Sequence, residues 1–167
     1  MIPTLKPKIL DQTYKYVFNP LGFKLKNILA DLDSTSYSGH TFQCNDRNII
    51  FRIAKITPKK VGQFVAIWQQ NKSGFTAPYQ HEDAFDFIVI NVQCESNFGQ
   101  FVFPKSVLIE NGIVSTHQKE GKRGIRVYPS WDKPLSKQAV KTQNWQSHYF
   151  LEIGANTDLE VARKLYA

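Results

Sequence analysis

Residues 85–92, Phe-Asp-Phe-Ile-Val-Ile-Asn-Val, place apolar side chains on both alternations after Asp86. A strand of that kind must be covered on both faces, so it belongs at the centre of a sheet with packed material above and below. Around it the chain alternates strand and helix signals. Residues 40–44 and 48–56 are β-rich runs flanking Asn45-Asp46-Arg47, which predicts a hairpin. Residues 62–69, 100–103, 113–116 and 124–128 predict further strands, residues 71–81 a loop, and Asn97-Phe98-Gly99 a turn.

Helix signals bracket this β-rich centre. Residues 11–18 predict a short helix stopped by Asn19-Pro20. Residues 21–33 carry Leu21, Leu25, Ile28, Leu29 and Leu32 at helical spacing and predict an amphipathic helix, with residues 34–38 a loop. Residues 105–110, after Pro104, predict a short helix ending at Asn111-Gly112. Ser136 reads as the N-cap of a helix over residues 137–150, and residues 158–165 predict a last one. No linker divides these elements. The expectation is one α+β (mixed α/β) domain over residues 1–167, with a mainly antiparallel or mixed sheet flanked by helices.

No window reaches the roughly 18 apolar residues of a membrane-spanning helix. Residues 1–10 mix Lys6 and Lys8 with Pro3 and Pro7 and do not read as a secretory signal. Cys44 and Cys94 lie far apart in strand-like contexts, which predicts free thiols in a reducing cytoplasm. No cofactor motif and no phosphate-cradling glycine loop is present, and no cofactor is expected. His81-Glu82-Asp83 with Asp86 offers oxygen and nitrogen donors to a metal, or is a solvated turn, while His40, His117 and His148 read as isolated.

The charge is basic, +7 overall, and unevenly spread. Arg52, Lys55, Lys59 and Lys60 form an acid-free cluster. Residues 117–141 carry Lys119, Lys122, Arg123, Arg126, Lys133, Lys137 and Lys141 against only Glu120 and Asp132. Residues 81–95 between them hold Glu82, Asp83, Asp86 and Glu95 with no lysine or arginine. Aromatic rings are interleaved with the second basic run. Arg126 and Tyr128 share a strand face, Trp131 follows, and Lys141 and Trp145 are helical neighbours. Cations for a phosphate backbone and flat rings for exposed bases are what single-stranded nucleic acid requires.

Four blocks resemble the MepB-like family. They are Phe51-Arg52-Ile53-Ala54-Lys55-Ile56-Thr57-Pro58-Lys59-Lys60-Val61-Gly62-Gln63-Phe64-Val65, Gly99-Gln100-Phe101-Val102-Phe103-Pro104-Lys105, Gly121-Lys122-Arg123-Gly124-Ile125-Arg126-Val127-Tyr128 and Lys141-Thr142-Gln143-Asn144-Trp145-Gln146. The resemblance runs from about residue 37 to residue 150. It implies a fold like that of PD-(D/E)XK, restriction-endonuclease-like proteins, nucleic-acid binding, and an association with multidrug export genes. It also implies the absence of the usual nuclease site. Lys55 sits where the nuclease lysine would be, but Ile53 holds the place of the second acid. Ser38, Gly39 and His40 hold none where the first is due, and Ser36 stands where family members often carry glutamate.

The expected function is therefore binding of RNA or single-stranded DNA, with duplex DNA weaker, on a scaffold with a degenerate site. Arg52, Lys55, Lys59, Lys60, Lys122, Arg123, Arg126 and Lys141 would meet phosphates, with Tyr128, Trp131 or Trp145 stacking. Two alternatives stay open. One is a metal-dependent nuclease using Asp31, Asp33, Asp83 or Asp86 with Lys55. The other is a module whose basic face binds an acidic protein.

Overall fold

The computed structural model describes residues 2–3 and 7–167. The reading of residues 1–10 falls partly outside these. In chain order the strands are β1 (Ile2–Pro3), β2 (Leu25–Ala30), β3 (His40–Cys44), β4 (Arg47–Ile53), β5 (Lys55–Ile56), β6 (Gln63–Ala66), β7 (Trp68–Gln70), β8 (Thr76–Pro78), β9 (Phe87–Cys94), β10 (Asn97–Pro104), β11 (Gly124–Val127) and β12 (Phe150–Glu152). A seven-stranded sheet runs β1-β2-β3-β4-β9-β10-β12, a three-stranded sheet runs β11-β6-β5, and β7 pairs with β8. In the large sheet β4 and β9 are parallel and the other neighbours antiparallel, so the sheet is mixed.

The expected central strand is β9, between β4 and β10. Its alternation splits between two cores. Ile88, Ile90 and Val92 enter one together with Val65, Ile125 and Val127 of the small sheet, Ile67 just after β6, and Leu108. Phe87 and Val89 enter the other, with Leu10, Val17 and Phe18 from the N-terminal helical run and Ala162 and Tyr166 from the C-terminal end. Each fully buried Val, Leu, Ile or Phe among these contributes roughly 1.5–3 kcal/mol of burial free energy. The helical run comprises a 3-10 turn (Lys8–Leu10), α1 (Asp11–Thr13), a π-helical stretch (Tyr14–Phe18) and α2 (Asn19–Leu21). The remaining helices are α3 (Lys105–Glu110), α4 (Lys137–Ser147) and α5 (Leu159–Leu165). Ser136 Oγ accepts from Ala139 N, so the expected N-cap is made, and Asp158, expected only as the first residue of the last helix, caps it by accepting from Glu160 N and Val161 N.

Several expectations are corrected. Residues 21–33 form no amphipathic helix: β2 lies there, followed by 3-10 turns over Leu32–Tyr37. The β2–β3 register shifts between Lys26 and Leu29 where Asn27 adopts φ 55°, a bulge. The extra residue breaks the strand alternation and leaves Leu25, Ile28 and Leu29 at spacings that imitate a helix. The N-terminal helical run does not stop at Asn19-Pro20, because Pro20 opens a fresh turn and Gly22 at φ 71° ends it. The second hairpin strand does not continue to Ile56. Ala54 N donates to Asn91 O at 3.0 Å, and the chain then leaves the large sheet so that Lys55 pairs with Phe64 in the small one.

The hairpin turn itself is Asn45-Asp46, at φ 52° and 64°, the primed geometry that suits antiparallel strands. The turn before β10 is Glu95-Ser96, not residues 97–99. Residues 62–69 are split between β6 and β7, residues 71–81 contain β8, and residues 113–116 contribute only an isolated bridge, Ser115 to Gln80. The helix expected to reach residue 150 ends at Ser147. Both cysteines are free; Cys44 is buried and Cys94 half-buried. No helix among the described residues is long and apolar enough to cross a membrane.

Candidate functional site

In the small sheet β11 pairs antiparallel with β6, which sets Arg126 opposite Phe64 and Gly124 opposite Ala66. Val65, Ile125 and Val127 point into the core, so Phe64, Arg126 and Tyr128 are left on the outer side. Helix α4 is fastened across that side by two glutamines. The buried Gln146 donates from Nε2 to Arg126 O at 3.0 Å and accepts from Tyr128 N at 2.9 Å. Gln143 Nε2 donates to Pro129 O at 3.0 Å and Asp132 O at 2.8 Å.

Between helix and strand opens a cavity of about 760 Å³, lined by Lys60, Lys122, Arg126 and Lys141, by Phe64, Tyr128 and Trp145, and by no carboxylate. The two basic segments of the sequence meet here. Lys60 comes from the first, and Lys122, Arg126 and Lys141 from the second. Arg126 holds them together, donating from Nη1 to Val61 O at 3.3 Å and from Nη2 to Thr57 Oγ1 at 3.0 Å. It thereby ties the loop that presents Lys60 to β11. Gly62 in that loop, at φ 86°, has no room for a side chain: a Cβ would stand 2.7 Å from Tyr128 Cδ1. Trp145 is half-buried, with its ring 5.4 Å from that of Phe103 and part of its surface on the cavity. Its role is both packing and lining.

The other expected contacts lie elsewhere. Arg52 has 0% of its surface exposed, which corrects its assignment as a surface phosphate contact. Its Nη2 donates to Asp31 Oδ2 at 3.1 Å and to Tyr79 Oη at 3.1 Å, and its Nη1 to Phe51 O at 2.9 Å. Burial pushes the Tyr79 phenol up from its ordinary range. Lys55 is exposed, with Nζ 4.8 Å from the Tyr37 ring centroid, outside the cavity. Lys59 is exposed beside Lys60 without lining the cavity. Arg123 pairs with Glu120 at 3.3 Å and donates to Thr76 O at 3.2 Å. Trp131 packs edge-on against Phe150, 5.7 Å between centroids. Phe64, Gln143 and Gln146 were not expected at the site. The inward alternation of Val65 and Ile67 was the available signal for Phe64; the glutamines carried none.

Three of the four aspartates considered for a displaced nuclease site, Asp31, Asp33 and Asp83, line a separate cavity of about 810 Å³ that does not include Lys55. Two of these carboxylates are engaged structurally. Asp31 holds Arg52, and Asp83 Oδ2 accepts from Gln69 Nε2 and from Gln80 N, both at 2.7 Å. Asp86 Oδ2 accepts from Asn48 N at 2.8 Å. Of the donors considered for a metal, His81 and Glu82 remain together, Asp83 and Asp86 do not join them, and His117 does.

Comparison with known proteins agrees with the sequence blocks. The MepB-like family model matches residues 31–152. Among solved structures, the crystal structure of MepB is similar at 33% identity and TM-score 0.77, covering 93% of this chain and 100% of that one. A bacterial homing endonuclease aligns at 18% identity and TM-score 0.42, covering 82% of each chain. No curated protein sequence matches.

Proposed function

Because this chain belongs to the MepB-like family, we propose that its α4–β11 groove binds nucleic acid, preferring single-stranded RNA or DNA to duplex, without cutting it. The observation that carries the reading is the lining: four cations and three aromatic rings around one concavity, with no acid among them. A phosphate chain drawn along Lys60, Lys122 and Lys141 releases counterions, the main source of sequence-independent affinity. Phe64, Tyr128 and Trp145 offer ring faces and edges to unpaired bases. A duplex keeps its bases stacked inside and cannot use those rings. The absence of an acid at Ile53, and the engagement of Asp31, Asp83 and Asp86 with structural partners, support binding without cleavage.

The test is fluorescence anisotropy of labelled single-stranded RNA across a salt series. The expected log K falls linearly with log salt, at about −0.7 per neutralised phosphate, so that three of them give a slope of about −2. Equal affinity for duplex at matched salt would overturn the strand preference. Lack of binding at low salt would transfer the basic face to an acidic protein partner. Incubating the same RNA with Mg²⁺ or Mn²⁺ is expected to leave it intact; cleavage abolished by Asp83→Ala would replace this reading with a nuclease.

A further inference from the structure

We propose that His81, Glu82 and His117 form a binding site for a divalent transition-metal ion of the zinc class. The site rests on its own geometry and not on the nucleic-acid reading. It is built by the backbone. Gln80 and Ser115 form an isolated parallel bridge. His81 N donates to Ser115 O at 2.9 Å, and Ser115 N to Tyr79 O at 2.8 Å. These bonds lay the segment that carries His117 beside the turn that carries His81 and Glu82.

The turn is pinned from below. Lys105 Nζ donates to His81 O at 3.1 Å and also to Asp83 O. Asp83 Oδ2 accepts from Gln80 N at 2.7 Å. On the other segment of the site, Ser115 Oγ accepts from Gly121 N at 2.7 Å.

The side chains then converge. His81 Nδ1 lies 3.3 Å from Ser115 O. With the Nδ1 proton donated to that carbonyl, Nε2 keeps its lone pair and faces the cluster, the outer-shell arrangement that orients metal-binding imidazoles. Glu82 Oε1 is 3.8 Å from His81 Nε2 and 3.3 Å from His117 Nε2. The two rings stand edge to face with centroids 4.8 Å apart. Metal–ligand bonds of about 2.0–2.1 Å at tetrahedral angles require donor atoms roughly 3.3 Å apart. The observed spacings meet that or need only side-chain rotation. Among the described residues this is the one group of three such donors held within 4.8 Å.

The donor set chooses the ion. Two imidazoles and one carboxylate suit zinc, nickel or copper, whereas Mg²⁺ and Ca²⁺ take oxygen ligands. His117 and Glu82 side chains are 80% and 66% exposed, so an ion reaches them from solvent and a fourth position remains open to water. The ion clips the segment after Ser115, which leads to Lys122, onto the turn at residue 81.

The experiment is calorimetric titration of Zn²⁺ into tag-free, chelator-treated full-length protein near neutral pH, with Mg²⁺ as the comparison. The expected result is saturable single-site binding of Zn²⁺ and no heat from Mg²⁺. His117→Ala and His81→Ala each weaken it by more than the roughly 10-fold cost of losing an outer-shell partner. His148→Ala, an exposed histidine elsewhere, leaves it unchanged. His117 is exposed enough that its variant keeps the native circular dichroism. Absence of saturable binding, or Zn²⁺ affinity unchanged in His117→Ala, overturns the site.

Discussion

Arg52 Nη2 lies 3.1 Å from Asp31 Oδ2, and the arginine has no exposed surface at all. A charge buried near the end of β4 can be tolerated there only because the chain between β2 and β3 returns a carboxylate to it. Asp31 is fixed for this by its own backbone, since Asp31 N donates to Gly39 O at 2.8 Å. Asp31→Ala leaves the guanidinium buried without its counter-charge. The expected loss is about 3–5 kcal/mol, a fall in Tm on the order of 10 °C by calorimetry. Adding Arg52→Met to that variant is expected to recover most of the loss. A single variant as stable as the parent would mean that Arg52 does not depend on Asp31.

Gln146 ties helix α4 to the groove strand through both ends of its amide. Gln146→Ala strands the Tyr128 N–H and the Arg126 carbonyl in a buried position. The expected cost is about 1–3 kcal/mol in urea denaturation. Faster hydrogen exchange at the Tyr128 amide is the specific sign. Gln146→Glu keeps an acceptor for Tyr128 but sets a carboxylate oxygen against the Arg126 carbonyl, so it is expected to protect the amide while still destabilising. Unchanged Tyr128 exchange in Gln146→Ala would show that the strand end is held by something else.

What could be read from the sequence was what neighbours in the chain decide. Asn45-Asp46 announces its turn because both residues tolerate left-handed backbone, and β9 announces its central place because apolar residues occupy both alternations. Ser136 announces its helix start because capping is a local hydrogen bond. The bulge at Asn27 is also local, yet it disguises its strand as a helix by displacing the alternation one residue. The site was legible in composition but not in membership. Lys60 joins Lys122 only through the β6–β11 pairing, and nothing near residue 60 signals that pairing. Arg52 looked like part of the cationic cluster because its counter-charge, Asp31, lies 21 residues away in sequence. His117 looked isolated because the Gln80–Ser115 bridge spans two loops.

Stability should fall as the solution becomes alkaline, and Cys44 accounts for part of it. Burial pushes its thiol from 9.0 up to about 12. In the unfolded chain the thiol ionises above its ordinary value, while in the folded protein it stays protonated. The unfolded state therefore loses a proton first, and stability drops as pH rises through the window from 9.0 to about 12. Below that window the contribution is fully present. Tyr166 acts in the same direction, its phenol raised well above its ordinary value by burial and then by the nearby Cys44. Urea midpoints measured across alkaline pH are expected to decline for the parent and less steeply for Cys44→Ala. Parallel curves would remove Cys44 from the explanation.

The groove makes different demands on its lysines than a uniformly basic surface would. Lys60, Lys122 and Lys141 line it, while Lys55 is exposed over Tyr37 and does not. If phosphates run through the groove, reversing any lining lysine to glutamate leaves one phosphate without its cation and adds repulsion. Affinity for single-stranded RNA then falls, and the salt slope shrinks by about 0.7 for each phosphate no longer neutralised. Lys55→Glu makes the same change in net charge outside the groove, so it is expected to weaken binding only through long-range screening, with the slope nearly intact. Arg126→Ala is expected to exceed any single lysine, because it also releases Thr57 and Val61 and frees the loop that carries Lys60. Anisotropy titrations of the five variants at two salt concentrations separate the cases. A slope that drops equally in Lys55→Glu and Lys122→Glu would mean that net charge, not this groove, sets the affinity.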